Sequence, residues 1–162
     1  PITGDLRPIE TVDVRAKLEG DLVGVFVKEG QVVTAGQLLA RFEGSEQESA
    51  RKSAEAERAA AQTELSMAQW TYDQNKELFT AGAIAERDFK VTQQAVESAR
   101  AKLAASDAKL HSSSLASRDT RVLAPTTGAI QTRNVENGER VPRGTSSCSL
   151  MSGVMLRSVM PS

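Results

Sequence analysis

Three thioethers, one thiol and one imidazole are the side chains of this sequence best suited to chemistry. Met151, Met155 and Met160 fall within ten residues, and such a cluster is a soft donor set of the kind that holds Cu(I). The same spacing at a strand-rich end suits adaptable apolar fillers of a core or interface, and the surrounding residues favour that use. Cys148 and His111 each occur once, so no internal disulfide can form and no Cys/His set for zinc or iron exists. His111 has only Asp107 as an acid at helical spacing and reads as a partly exposed helix residue. Cys148 reads as a buried, inert thiol at a small-residue strand position. With no nucleophile beside a base, the sequence supports no enzyme, no metal centre and no cofactor.

Composition narrows the partners. Twenty basic residues against 21 acidic ones leave a formal charge of −1, which gives no electrostatic case for nucleic acid. The apolar content of 40% allows a real core, but aromatics at 4% require it to be built from small aliphatics. No apolar run approaches the roughly 20 residues needed to span a bilayer. The first residues, PITGDLRPIE, also lack the charged start and apolar centre of a secretory signal. That alone does not place the chain in the cytoplasm.

The elements that would position any site emerge from an internal repeat. Gly20, Gly30 and Gly36 fall on Gly128, Gly138 and Gly144 at an offset of 108 residues. At the same offset Leu22 matches Ile130, Val27 matches Val135, Val33 matches Val141, Ala40 matches Cys148 and Phe42 matches Leu150. Glycine suits turns that need positive φ, and β-branched residues between such turns suit short, half-buried strands. A unit this small, of about four strands, cannot cover its own apolar face, so the two copies are expected to pack on each other as one sandwich.

Between the copies, residues 45–118 nearly lose glycine and fill with Ala, Glu, Gln, Lys and Arg, a helical composition. Ser45 and Glu48 form an S-x-x-E capping box that starts a helix running to about Phe79. Its seam is Ala54, Ala61, Leu65, Ala68, Tyr72, Asn75 and Phe79. A second seam follows in Phe89, Thr92, Val96, Ala99, Leu103, Ser106 and Leu110, with steps alternating three and four residues. That is the coiled-coil period, and the short connection at Gly82 sends the second helix back antiparallel to the first. At 1.5 Å per residue each helix would extend about 50 Å. The first helix carries seven acids and four bases, the second four acids and five bases to Ser117, a mild complementarity for the pairing. The fold class is therefore α+β: a split β-sandwich, residues 13–44 with 119–151, carrying a hairpin at 45–118. The hairpin fits between the two copies if their facing ends lie close together.

In this arrangement the chain resembles the periplasmic adaptors, or membrane fusion proteins, of bacterial tripartite efflux pumps. Three segments carry the resemblance: GDLVGVFVKEGQVVTAGQLLARFE at residues 20–43, KELFTAGAIAERDF at 76–89, and RVLAPTTGAIQTRNVENGERVPRG at 121–144. The first and third are similar to the two halves of a lipoyl/biotinyl-like sandwich. The resemblance implies a non-enzymatic, periplasmic protein associated with the inner membrane, which bridges an inner-membrane transporter (RND in preference to ABC) to an outer-membrane channel as a ring, usually of six. It implies that the hairpin tip, at Gln74, Leu78, Gly82, Ala83, Ile84 and Ala85, meets the channel. Many members carry Arg-x3-Leu-x6-Ser there; here only Leu78 is kept, with Gln74 and Ala85 at the other two positions. Residues 1–12 and 152–162 would be the edges of a further β-barrel domain.

The lipoyl-like half invites a swinging-arm carrier, but the place of the acceptor lysine holds Glu46 in the run GSEQ. Trp70 falls on the outer face of the first helix, where it is either a solitary exposed aromatic or an anchor for side-by-side hairpin packing. Ala85, with Asp88 three residues on, stands at the N-cap of the second helix, where alanine is a poor choice. Two other functions stay open from the sequence: an adaptor of an ABC-type or type I secretion exporter, and a coiled-coil scaffold with no transport role.

Overall fold

The computed structural model describes residues 10–152. Met155, Met160 and most of the expected domain edges lie outside the described residues. The chain divides into two compact units, with the divisions after Gly44 and after Ser117.

The first unit contains eight strands. β1 (Glu10–Arg15), β2 (Gly20–Val25), β3 (Val32–Val33) and β4 (Leu38–Phe42) precede the insert, and β5 (Arg121–Leu123), β6 (Gly128–Arg133), β7 (Arg140–Val141) and β8 (Ser146–Ser152) follow it. The repeat holds strand by strand: β6 is β2 displaced by 108 residues at both ends, and β7 stands in the same relation to β3. β1 takes in residues 10–12 as well, three more than the expected start at 13.

The copies do not pack one upon the other as intact layers. They interleave, so that each sheet takes two strands from each copy, in the orders β1-β8-β6-β3 and β5-β4-β2-β7. Backbone hydrogen bonds are exchanged in symmetric pairs. The Gly30 N–H donates to the Ile130 carbonyl at 2.7 Å and the Gly138 N–H to the Leu22 carbonyl at 2.9 Å; the Leu22 N–H donates to Glu139 and the Ile130 N–H to Gln31, each at 2.9 Å. Gly30, Gly36, Gly138 and Gly144 all have φ between 80° and 84°, the left-handed region that other residues enter at a cost.

The core follows the same two-fold relation. Leu22 pairs across strands with Phe42, and Ile130 with Leu150; all four are buried, as are the matched pairs Val27/Val135, Val33/Val141 and Ala40/Cys148. Burial of one large side chain of this kind contributes about 1.5–3 kcal/mol. β4 and β5 are neighbours, with Arg41 opposite Arg121 and the Phe42 N–H donating to the Thr120 carbonyl at 2.7 Å. The chain thus leaves and re-enters the sandwich on adjacent strands, which is what allows a long insert between the copies.

The second unit is a pair of helices, α1 (Ser45–Thr80) and α2 (Glu86–Arg118). Acids fill both first turns, Glu46 and Glu48 in α1 and Glu86 and Asp88 in α2, where the helix dipole favours negative charge. The expected seam is the inward one. Ala54, Ala61, Thr92, Val96 and Ala99 are buried, and the other seam residues except Phe79 are half-buried. Hydroxyls in the seam are satisfied locally, Thr92 Oγ1 donating to the Phe89 carbonyl at 2.6 Å and Ser106 Oγ to Lys102 at 3.0 Å. Phe79 departs from the expectation at 38% exposure, yet its ring stacks on Phe89 at 4.8 Å between centroids. The seam skips position 58 because an arginine stands there, and Arg58 pairs across the helices with Asp107. Lys102–Glu64 at 2.6 Å and Lys109–Glu57 at 2.8 Å form a second inter-helix row. These pairs are exposed and contribute about 0–1 kcal/mol each; they fix the antiparallel register more than they stabilise it.

The hairpin closes through a Schellman motif. The Ala83 N–H donates to the Leu78 carbonyl at 2.8 Å and the Gly82 N–H to Phe79 at 3.0 Å, with Gly82 at φ 75°, so the last carbonyls of α1 are satisfied within the turn. The Ala85 carbonyl accepts the Phe89 N–H at 3.2 Å, the first bond of α2. Ala85 is therefore the N-cap, with a methyl where an oxygen would accept from the next turn.

Two substitutions test this layout. Ala85→Ser should stabilise the chain by about 0.5–2 kcal/mol, raising the thermal midpoint followed by circular dichroism; an unchanged or lower midpoint means that position 85 does not cap α2. Leu150→Ala should cost about 2–5 kcal/mol in chemical denaturation, and a loss well under 1 kcal/mol would remove it from the core.

Candidate partner-docking site

The turn of the hairpin gathers the residues singled out in the sequence. Leu78 lies in the last turn of α1 at 45% exposure; Gln74, Gly82, Ala83 and Ala85 are exposed, and Ile84 is half-buried. Behind the turn, Phe89 stacks against both Phe79 and Tyr72, the latter at 5.4 Å. Such aromatic pairs contribute about 0.5–1.5 kcal/mol beyond burial, so the two helices are clasped directly below the turn. The result is a closed end where exposed Leu78 and Phe79 lie among exposed charges, Lys76 and Glu77 on α1 and Glu86, Arg87 and Asp88 on α2. Val91, 57% exposed on α2, adds to the apolar surface of the unit and is not distinguishable from a seam residue by its type alone.

Trp70 lies outside the seam as its register requires, at 61% exposure, and Met67 one turn earlier is 60% exposed. A sequence reading could have found Met67 from the three-residue step to Trp70. Toward the start of α1, Glu48 accepts hydrogen bonds from Arg51 at 2.7 and 3.1 Å and from Ser117 Oγ at 3.2 Å. The Arg51 hydrogen bonds, helped by its charge and by Ser117, hold the Glu48 carboxyl down to about 2. The carboxylate is thus committed to tying α1 to the end of α2.

The remaining candidates occupy structural places. Glu46, where a carrier lysine would stand, lies in the first turn of α1 and not in a strand-to-strand turn. Cys148 is 3% exposed, and burial pushes its thiol up from the ordinary range, which keeps it protonated and unreactive. His111 is exposed on α2, and Met151 is half-buried in β8. Among the described residues no group of three or more His, Cys, Asp or Glu side chains could hold a metal ion, and no helix is long and apolar enough to cross a membrane. The geometry offers binding surface rather than reaction chemistry.

Comparison with known proteins places this geometry. The nodulation protein NolF of Rhizobium meliloti (strain 1021) is 34% identical over 146 residues, which is 89% of this chain and 39% of that protein. The multidrug resistance protein MdtA of Cronobacter turicensis is 27% identical over 141 residues, 87% of this chain and 34% of that protein. This chain therefore spans between a third and two fifths of the length of these relatives. Among solved structures, a MacA-MexA chimeric protein containing the Pseudomonas aeruginosa MexA alpha-hairpin domain superposes with a TM-score of 0.66 at 25% identity, covering 88% of this chain and 47% of the chimera. The family model for the barrel-sandwich hybrid domain of the RND membrane fusion proteins matches residues 10–152. Since that match runs through both halves of the sandwich and the hairpin between them, the chain belongs to the RND membrane fusion protein family.

Proposed function

We propose that this chain is the central part of a periplasmic adaptor that joins an inner-membrane transporter to an outer-membrane channel. In this reading it works by geometry and performs no chemistry. The hairpin turn meets the channel end-on, and the sandwiches of several copies, up to a ring of six, surround a conduit. The observation that carries the reading is the turn itself: a rigidly closed end with Leu78 and Phe79 exposed and no catalytic or metal-binding group beside it. An RND transporter is the favoured partner because the matching family model is that of the RND membrane fusion proteins. The likeness to a protein named for multidrug resistance supports small toxic compounds as the exported class.

The altered motif, with Gln74 and Ala85 in place of arginine and serine, shifts recognition onto what remains. Shape and apolar contact at Leu78, Ala83 and Ile84 carry it, beside the exposed charges of Glu77 and Arg87. Trp70 is assigned to packing between neighbouring hairpins, since a large exposed aromatic is a favoured anchor in such contacts.

Tip docking is tested by in-cell crosslinking from Ala83→Cys in the full protein carrying Cys148→Ala, a background suited to the core because the matched position holds Ala40. A crosslink to an outer-membrane channel is expected; intact export with no such crosslink would move the contact away from the turn. For the lateral role, Trp70→Ala should weaken self-association in sedimentation velocity without altering helicity, and unaltered assembly would return Trp70 to a solitary exposed aromatic.

A further inference from the structure

The two turns that exchange backbone bonds between the copies differ in one side chain that carries chemistry. Gly30 and Gly138 are matched, and the residue before each is Glu29 in the first copy and Asn137 in the second. Both side chains serve the same purpose across the repeat. Glu29 Oε1 accepts from the Arg133 N–H at 3.2 Å and Asn137 Oδ1 from the Val25 N–H at 2.5 Å; Val25 and Arg133 are themselves matched. The amide in the second copy follows from charge. Glu136 and Glu139 flank Asn137 and Gly138, whereas Lys28 and Gln31 flank Glu29 and Gly30, so a carboxylate at 137 would be a third acid in one turn.

An asparagine followed by glycine is open to attack by the next backbone nitrogen, because glycine has no Cβ to hinder the approach. Of the three asparagines, Asn75 precedes Lys76 and Asn134 precedes Val135; Asn137 alone precedes glycine. The Gly138 amide gives its proton to solvent base and its nitrogen bonds to Cγ of Asn137. The Cγ–Nδ2 bond then breaks, and ammonia leaves with a proton taken from solvent. Water opens the cyclic imide at one of its two carbonyls, leaving aspartate or isoaspartate with no change of oxidation state. Both residues are exposed, so water and base reach them. Two bonds to β2 nevertheless hold the reacting groups: the Gly138 N–H donates to the Leu22 carbonyl at 2.9 Å, and the Asn137 carboxamide is anchored on Val25. Attack requires both to be released, and β2 is itself held between β4 and β7.

We propose that Asn137 and Gly138 form a deamidation site, closed while the sandwich is folded and open when β2 separates from the turn. The aspartate product keeps an acceptor for the Val25 N–H, as Glu29 does for Arg133. The isoaspartate product does not keep the turn. Its main chain is longer by a methylene, which takes the Gly138 N–H away from the Leu22 carbonyl. The reaction therefore marks chains whose sandwich has stayed open, and the isoaspartyl fraction cannot close again.

The test is peptide mass mapping of the full chain incubated at neutral pH, folded and in urea, with isoaspartate separated from aspartate by chromatography. In urea, conversion at Asn137 should outrun that at Asn75 and Asn134 by about tenfold or more, and folding should slow it by about tenfold or more. Leu150→Ala should raise the folded-state rate by about tenfold or more, because opening becomes more frequent. If that chain does not fold, Ile130→Val takes its place, with a severalfold rise expected. On removal of urea the aspartate form and Asn137→Asp should regain the native circular dichroism, and the isoaspartate form should not. Conversion at Asn137 no faster than at Asn75 in urea would overturn the site. Equal rates with and without urea, or a folded-state rate indifferent to the core variants, would overturn the gating by the sandwich. Full refolding of the isoaspartate form would overturn the one-way mark.

Discussion

The structure depends on an exchange of backbone hydrogen bonds that neither half can make alone. The N–H of Gly30 needs the carbonyl of Ile130, and the N–H of Gly138 needs that of Leu22. Both donors belong to turns in the left-handed region, so the glycines and the bonds stand or fall together. A single copy of the repeat would leave these groups without their partners and its apolar face uncovered. Folding of the sandwich must therefore wait until segments about 100 residues apart have met, a long loop closure. The helical insert is made of local contacts, which form faster than long-range ones. It shortens the effective loop by bringing its own two ends back together, on the adjacent strands β4 and β5.

Much of this was legible in the sequence because the repeat is written in residue types with a physical reason to recur. Glycines marked the turns, branched residues marked the inward positions between them, and the alternating steps from Phe89 to Leu110 marked the helix seam. The interleaving was not legible. Strand pairing is a non-local choice, and the pattern of Leu22, Val27 and Val33 is the same whether β2 lies beside a strand of its own copy or of the other. Arg58 was passed over for a related reason. Apolar periodicity treats a charge at a seam position as a gap, whereas here the gap is filled by an ion pair with Asp107. The outer faces were missed because a period of two identifies what points inward and leaves the remaining positions undifferentiated, Phe26 and Asn134 alike.

The candidate site was legible in location and less so in its chemistry. Gly82 and the cap position at Ala85 fixed where the turn lies, because both are demands of backbone geometry. How the turn is held is not written in residue types: the paired bonds to Leu78 and Phe79 and the stacking of Phe89 on two other rings depend on three-dimensional register. These features bear on function through rigidity. In the proposed docking, a contact at Leu78, Ala83 and Ile84 depends on shape, and shape is reproducible only if the turn has one conformation. The Schellman closure and the aromatic clasp supply that, while the unfilled cap at Ala85 gives some of it back.

The two halves of the sandwich answer to different demands inside and out. The core stays nearly symmetric because packing rewards volume and burial, which Leu22 and Ile130 satisfy equally well. The outward positions carry no such constraint: Val23, Phe26 and Leu123 stand where the repeat has Gln131, Asn134 and Arg15, and exposed Val32 stands where it has Arg140. Gly24 marks the boundary between these two demands: its strand keeps the span of β6 in the repeat, where Thr132 is the matched residue, and it lacks a side chain so that the Phe26 ring can lie there.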